Sequence, residues 1–217
     1  MEVRQFTFAD RLIGEIDKAI NVLASSQPAA REIPRAAVEP SGPLEVLGDV
    51  ERRESGRLMR VNHAGEVSAQ ALYQGQALTA RSPAVASAMR RSAAEETDHL
   101  AWCRSRLDEL GARPSLLNPL WYAGSFFIGA LAGAFGDRTS LGFIAETERQ
   151  VESHLSEHEN RLPAADQQSR AILEQMKKDE IEHGLRATAR GGTALPLPIR
   201  LGMRLTSRLM TRGSYWL

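Results

Sequence analysis

The stretch EETDHLAWC, residues 95–103, places a glutamate and a histidine three positions apart, at Glu96 and His99. The stretch DEIEHG repeats this arrangement at Glu180 and His183. On a helix, side chains three residues apart lie on one face, within about 5–6 Å of each other. Each Glu-x-x-His pair is therefore able to bind a single ion.

Both pairs lie on faces that the sequence marks as buried. A row of positions spaced by three and four residues runs through each pair, and this is the spacing of core positions in packed helices. The first row is Val85, Met89, Ser92, Glu96, His99 and Cys103, and the second is Ser169, Leu173, Met176, Glu180, His183 and Ala187. Glutamate and histidine thus occupy positions where core residues are expected.

A single Glu-x-x-His pair is usually accidental or a solvated surface pair, but here each pair belongs to a repeated unit. Glu66, in NHAGEVSAQALY, lies one predicted helix before Glu96. Glu148, in GFIAETERQVESH, lies one predicted helix before Glu180. Two helices with one glutamate each and two with Glu-x-x-His form the di-iron or di-manganese site of ferritin-like proteins. We therefore predict an all-α, ferritin-like four-helix bundle with a dinuclear metal site.

Four buried carboxylates need compensating charge, because lost hydration costs several kcal/mol per ion. Two divalent cations would supply it, with Glu96 and Glu180 bridging them. The remaining ligands would complete the two ends, Glu66 with His99 and Glu148 with His183, although the sequence does not fix which histidine accompanies which glutamate. Carboxylates with few imidazoles and no thiolate favour iron or manganese over zinc or copper(I).

Other carboxylates near the predicted ligands are interpreted differently. Glu146 and Glu152 are alternatives to Glu148, but helical spacing turns Glu146 away and Glu152 falls outside the repeated unit. Asp98 and Asp179 are interpreted as solvated polar groups of their helices.

Three further side chains lie close to the predicted site. Tyr73 either lines an oxygen-binding pocket or is a core or rim tyrosine. His154 either hydrogen-bonds a metal ligand or lies on the surface. Cys103 extends the row one turn beyond His99, and we interpret it as a packing residue.

The predicted bundle spans residues 49–192 and is flanked on both sides. Residues 1–48 combine an amphipathic helix, about 8–23, with a Pro- and Ala-rich linker, and residues 193–217 form a basic amphipathic helix. Within the bundle, helix start and stop signals place four long helices at about 50–80, 83–110, 140–161 and from beyond Pro163 to 190.

The connector between the second and third bundle helices, residues 114–136, contains no charged residue. It is long enough to cross a bilayer, but Pro119 and several glycines weaken a straight spanning helix. We expect a folded-back, membrane-facing hairpin at one end of the bundle. The alternative is a connector buried entirely in the core.

The last predicted helix carries a stripe of arginines at every fourth position: Arg200, Arg204, Arg208 and Arg212. A leucine row runs beside the stripe, and Tyr215 and Trp216 follow. A basic amphipathic helix with aromatic residues at its end suits an anionic membrane surface. A helix that packs on the bundle with an exposed arginine edge explains the same pattern.

Composition excludes several other classes of function. Lys and Arg total 27, as do Asp and Glu. The chain therefore has no overall basic charge that would indicate a nucleic-acid partner. The one cysteine excludes a disulfide framework and a cysteine-based metal cluster, and a reducing intracellular compartment is expected. The N-terminal residues lack the pattern of a signal peptide. No Gly-x-Gly-x-x-Gly motif follows a predicted strand, so the sequence does not predict a built-in nicotinamide or flavin site.

Four motifs together resemble the demethoxyubiquinone hydroxylases of ubiquinone biosynthesis, in their bacterial form: RVNHAGEVSAQALYQGQ, EETDHLAWC, ETERQVESHL and KKDEIEHG. The resemblance covers about residues 50–190, includes the connector sequence PSLLNPLWYAGS, and does not extend to the first 48 residues. It implies a ferritin-like fold that binds two iron ions per chain. The implied iron ligands are Glu66, Glu96, His99, Glu148, Glu180 and His183.

The resemblance also implies a reaction and its setting. Such enzymes use O₂ to hydroxylate the ring of a polyprenyl quinol intermediate, 2-polyprenyl-3-methyl-6-methoxy-benzoquinol, at the carbon that is later methoxylated. A peripheral position on the cytoplasmic face of the bacterial cell membrane is expected, with the lipid surface as a partner. The electrons come from the quinol itself, from direct reduction, or from a partner such as another ubiquinone-biosynthesis protein.

Two other functions share the predicted site. A di-iron quinol oxidase would use the same ligands, but we expect such an enzyme to anchor more deeply in the membrane. A ferritin would also use them, yet iron storage has no need of an uncharged connector and a basic tail. The hydroxylase interpretation accounts for the predicted metal site, the uncharged connector and the basic tail.

Overall fold

The computed structural model describes residues 8–24, 27–36 and 47–217. Within these ranges the chain forms seven α-helices and no strand, which confirms the predicted all-α class. The helices are α1 (Phe8–Ala24), α2 (Asp49–Thr79), α3 (Pro83–Glu109), α4 (Asn118–Ala134), α5 (Asp137–Arg161), α6 (Gln167–Ala189) and α7 (Leu197–Trp216). The rest of the predicted linker, residues 25–26 and 37–46, lies outside the described residues.

Local chemistry fixes the ends of the bundle helices. Pro83 stands at the start of α3, where its missing N–H costs no hydrogen bond. The Asp137 carboxylate accepts the backbone N–H of Ser82 at 2.9 Å, so the start of α5 also holds the turn between α2 and α3. Asp166 caps α6 by accepting the Ser169 N–H at 3.0 Å.

Helices α2, α3, α5 and α6 form a four-helix bundle with one long crossover. The turn after α3 brings Ala112 back to Gly56, near the start of α2. In contrast, α5 begins at the other end of α2, where the Gln76 side chain donates to the Ser140 carbonyl at 2.9 Å. Because α3 and α5 therefore run in the same direction, the chain between them must traverse the length of the bundle.

Helix α4 makes this traverse, so the expectation of a folded-back hairpin at one end of the bundle is wrong. It is a single helix that lies directly against α2. A Cβ added to Gly129 would lie 2.2 Å from the Leu72 carbonyl oxygen, and one added to Gly75 would lie 2.2 Å from the Phe126 carbonyl oxygen. Only glycine allows the two helix backbones to approach this closely.

The face of α4 turned away from α2 is apolar and exposed. Leu120, Phe127 and Leu131 are 60%, 64% and 45% exposed. The expectation of a connector buried entirely in the core is therefore wrong as well, because only one face of α4 is packed. Among the described helices, none combines the length and the apolar character needed to cross a bilayer.

Two apolar clusters lie on either side of the predicted ligands along the bundle. One cluster contains, among others, Met59, Trp102, Cys103, Leu173 and Met176. The other contains Tyr73, Met89, Leu141, Ile144 and Ala187. The predicted ligands thus lie in an interior from which both clusters exclude water.

Residues 27–36, which we call the strap, pack against the bundle although the sequence predicts a linker. Ala29 and Ile33 contact the cluster that contains Trp102. The Gln168 side chain of α6 donates to the Pro34 carbonyl at 2.8 Å and accepts the Ala36 N–H at 3.3 Å. The strap is therefore held by α3 and α6.

We expect Gly129→Ala to lower the free energy of unfolding by about 1–3 kcal/mol, because the added methyl group collides with the α2 backbone. Gly124→Ala is the matched control, since no atom lies within 4 Å of the added group. Alanine should stabilise the helix at this position by up to about 1 kcal/mol. Urea unfolding of both variants measures the difference, and equal stability of the two would contradict the close contact between α2 and α4.

Candidate metal centre

The structure brings all six predicted ligands together in the middle of the bundle, and every one is buried. Two overlapping groups each place their ligand atoms within 4.8 Å of one another: Glu66, Glu96, His99 and Glu180 in one, and Glu96, Glu148, Glu180 and His183 in the other. Glu96 and Glu180 belong to both groups, which is the position that bridging carboxylates require.

Each imidazole turns its Nδ1 atom toward the two shared carboxylates. His99 Nδ1 lies 2.9 Å from a Glu96 oxygen and 3.2 Å from a Glu180 oxygen. His183 Nδ1 lies 3.0 and 3.1 Å from the other oxygens of the same two carboxylates. Glu66 is grouped with His99 and Glu148 with His183, which is the pairing that the sequence favours.

Several of these buried atoms have no hydrogen-bond partner among the described residues. They are Glu66 Oε2, both carboxylate oxygens of Glu96, and His99 Nδ1. An unsatisfied buried polar group costs about 1–3 kcal/mol. The atoms lie close together yet do not align for hydrogen bonds, so they converge on a shared space. A pair of cations bound by carboxylate and imidazole donors fits that arrangement, and the absence of thiolate donors favours iron or manganese.

Burial and mutual contact shift the pKa values of the cluster. Burial raises the pKa of Glu66 to about 8 and that of Glu148 well above its usual range. Burial opposes ionisation of Glu96 too, but contacts with His183 and His99 outweigh it and leave the Glu96 pKa far below its usual value. Without metal, the cluster thus keeps protons where cations would otherwise neutralise its charge, so metal binding should release protons.

The outer nitrogen of each imidazole contacts a further carboxylate. His99 Nε2 lies 2.9 Å from Asp179 Oδ2, and His183 Nε2 lies 2.7 Å from Glu95 Oε2. Such contacts orient metal-binding histidines and set which nitrogen is free to bind. Each acidic residue immediately precedes the glutamate of one Glu-x-x-His pair and reaches the histidine of the other pair.

The interpretation of Asp98 and Asp179 as solvated groups is therefore wrong. Asp179 supports His99, and its contacts with His99 and Arg31 outweigh burial and lower its pKa to about 2. Asp98 is buried and accepts the Ala30 N–H at 2.6 Å. A sequence signal for Asp179 exists, because an acidic residue precedes both Glu180 and Glu96. No comparable signal marks Asp98.

The structure also shows the surroundings of Tyr73, His154 and Cys103, the three side chains that the sequence places close to the predicted site. The buried Tyr73 hydroxyl donates to Glu148, so this tyrosine is a core residue that contacts a predicted ligand. His154 contacts Ser207 of α7 at 2.8 Å, away from the ligands. Cys103 is fully buried beside the Met176 sulfur, as a packing residue should be.

The two carboxylates that compete with Glu148 lie apart from the cluster. Glu146 is buried but is neutralised by Arg149 at 2.6 Å and Arg200 at 3.3 Å. Glu152 is half-buried and belongs to neither group of clustered ligand atoms.

Comparison with known proteins identifies close relatives. The family model described as ubiquinone biosynthesis protein COQ7 matches residues 53–214. A Cupriavidus taiwanensis protein named 3-demethoxyubiquinol 3-hydroxylase is 57% identical over 206 residues, which cover 95% of this chain and 99% of that protein. A Bordetella petrii protein of the same name is 54% identical over 208 residues, covering 96% of this chain and 91% of the relative.

The raised pKa of Glu66 predicts how the metal-free protein responds to pH. Because the folded pKa is about 8 and the ordinary value is 4.5, the stability contributed by the protonated carboxyl is complete below 4.5 and lost as pH rises through 8. Glu66→Gln should therefore stabilise the metal-free protein at pH 9 by about 1–3 kcal/mol, with little effect at pH 5.

Chemical unfolding of metal-free wild type and variant at the two pH values measures this difference. Glu152→Gln, which removes a carboxylate outside the cluster, is the control and should not change the pH dependence. If Glu66→Gln destabilised the metal-free protein equally at both pH values, the inferred charge state of Glu66 would be wrong.

Proposed function

Since the chain belongs to the COQ7 family of ubiquinone biosynthesis proteins, we propose that it is a 3-demethoxyubiquinol 3-hydroxylase. The reaction is the O₂-dependent hydroxylation of the ring of 2-polyprenyl-3-methyl-6-methoxy-benzoquinol. The observation that carries the proposal is the placement of Glu96 and Glu180 in both groups of ligand atoms, as a dinuclear centre requires.

The six clustered side chains would hold two iron ions per chain, with Glu96 and Glu180 bridging. When bound, such a pair of ions activates O₂ and exchanges electrons with it. The chain's own residues set the surroundings of this chemistry. Asp179 and Glu95 keep each imidazole turned with Nδ1 toward the shared carboxylates, where the ions would be held, and Tyr73 donates a hydrogen bond that orients Glu148.

Hydroxylation consumes one O₂, two electrons and two protons. One oxygen atom enters the product and the other leaves as water. The electrons come from the quinol substrate itself, from direct reduction, or from a protein partner. The two apolar clusters beside the ligands restrict the access of water, which would limit side reactions at the site.

Incubation of the iron-loaded, reduced protein with ¹⁸O₂ and a short-chain demethoxyubiquinol tests the reaction. We expect the new hydroxyl group to carry ¹⁸O. Glu96→Gln should lose most of its iron and at least about 100-fold in turnover, because a bridging ligand serves both ions. Glu152→Gln is the matched control and should retain both.

Label derived from water would contradict the proposed monooxygenase reaction. Oxidation of the quinol without ring hydroxylation would point to an oxidase instead. Accumulation of many iron ions per chain without quinol turnover would point to iron storage.

We further propose that the protein binds peripherally to the cytoplasmic face of the cell membrane, where a polyprenyl substrate resides. Helices α1, α4 and α7 lie around the outer side of α2. Val22 of α1 and Tyr122 of α4 belong to one apolar cluster, and Trp121 of α4 donates to Ser214 of α7 at 3.0 Å. Each of the three helices leaves apolar side chains exposed, among them Ile16 and Ile20 of α1, Leu120 and Phe127 of α4, and Leu201, Leu205 and Leu209 of α7. Together they offer an apolar surface to lipid.

The arginine stripe of α7 divides into two parts. Arg200 pairs with the buried carboxylate of Glu146. The other three line a cavity of about 600 Å³ between α5 and α7, together with two arginines of α5: Arg204, Arg208, Arg212, Arg149 and Arg161. Among the described residues that line this cavity, Glu157 is the only one with a carboxylate, so the cavity favours anionic groups such as lipid phosphates.

The triple variant Arg204→Gln, Arg208→Gln and Arg212→Gln tests this part of the proposal. Each arginine near an anionic surface contributes about 1 kcal/mol, so binding to anionic liposomes should weaken on the order of 100-fold. Iron content should not change. Co-sedimentation with liposomes of graded anionic lipid content measures the effect.

A triple Gln variant of exposed arginines on α3 and directly after α6 serves as the control, with changes at Arg90, Arg91 and Arg190. It should bind anionic liposomes as wild type does. Equal weakening by both triple variants would show a general charge effect and contradict a specific role for the α7 arginines.

A further inference from the structure

Each histidine of the site contacts an outer carboxylate, and the two carboxylates pair with arginines from different parts of the chain. Glu95, which contacts His183, pairs with Arg186 at 3.1 Å, and Arg186 lies on the same helix as His183. Asp179, which contacts His99, pairs instead with Arg31 of the strap at 2.8 Å. His99 and Arg31 share one oxygen of Asp179, Oδ2. One half of the site thus depends on a segment far away in the sequence.

Arg31 is held firmly in this position. Its Nε donates to the buried Asp98 at 2.7 Å, and the neighbouring Ala30 N–H donates to the other oxygen of the same carboxylate at 2.6 Å. Its guanidinium group lies 4.7 Å from the centre of the Trp102 ring, which in turn lies 5.3 Å from the His99 ring. Arg31 therefore contacts both groups that flank His99, the Asp179 carboxylate and the Trp102 ring.

We infer that Arg31 is a positioning residue for the His99 half of the metal centre. The inference rests on the proposed function, because it presumes that the six clustered residues bind two ions. By fixing Asp179, Arg31 keeps the His99 Nε2–H hydrogen-bonded and the Nδ1 lone pair directed at the ion. Without Arg31, Asp179 Oδ2 keeps only His99, and Gln175, which donates to Asp179 Oδ1 at 2.9 Å, is the remaining neighbour that holds the carboxylate out of the cavity of about 550 Å³ that Arg31 and Asp179 line.

Removing an outer hydrogen-bond partner of a metal-binding histidine typically lowers metal affinity about 10–100-fold. Here the loss should be confined to one of the two ions, since the His183 half is supported by Arg186. The second half also retains its own outer carboxylate, Glu95. Arg31 thus makes the two binding sites respond differently to a change in the strap.

The test is titration of the metal-free, full-length protein with Co²⁺, followed by visible absorption and by counting bound ions. We expect Arg31→Gln to bind one ion as wild type does and the other about tenfold more weakly, with an altered spectrum for the weaker ion. Arg31→Lys should restore part of the affinity, because it keeps the charge near Asp179. Arg35→Gln, the matched control, removes an exposed arginine of the same strap and should match wild type.

Arg186→Gln should produce the mirror result by weakening the ion at the His183 half, with a different spectral change. Wild-type affinity and spectra for both ions in Arg31→Gln would overturn the inference, even if the variant were less stable to heat. Equal weakening of both ions would overturn it as well, because it would indicate general loosening of the bundle. Failure of the wild type to bind two ions would instead overturn the proposed metal centre itself.

Discussion

Four carboxylates held face to face in an apolar interior are the constraint on which the rest of the structure depends. Charged groups taken out of water cost several kcal/mol each unless opposite charge compensates them. The metal-free cluster compensates with protons, as the raised pKa values of Glu66 and Glu148 and of both histidines show. The two apolar clusters on either side make this compensation necessary, since they keep water from screening the charges.

The sequence predicts the bundle and the ligand cluster because both follow from helical periodicity. Glu96 and His99 share a face in any helix, and the repeated unit places Glu66 and Glu148 on partner helices. The direction of α4 did not follow, because hydropathy indicates which residues are buried and not which end of a bundle a helix starts from. The glycine contacts that fix its path involve pairs such as Gly129 and Leu72, which no local pattern links.

The sequence does not predict that the strap packs on the bundle, for a related reason. Its Pro- and Ala-rich sequence lacks periodicity, and its anchoring contacts depend on partners far along the chain, such as Asp98, Gln168 and Asp179. The sequence partly indicates the role of Asp179, because an acidic residue precedes each Glu-x-x-His pair. That it reaches the opposite helix depends on how α3 and α6 face each other, which sequence spacing within one helix does not determine.

The two outer carboxylates join α3 to α6. Glu95 of α3 holds His183 of α6, and Asp179 of α6 holds His99 of α3. Neither contact uses the Nδ1 atoms that face the shared carboxylates, so both contacts are compatible with cations bound at Nδ1. Protein atoms alone therefore orient both imidazoles, and binding of ions would exchange protons for cations at the Nδ1 side of the rings. Such preorganisation keeps the energetic cost of metal binding low, because side chains already ordered by folding lose little further entropy.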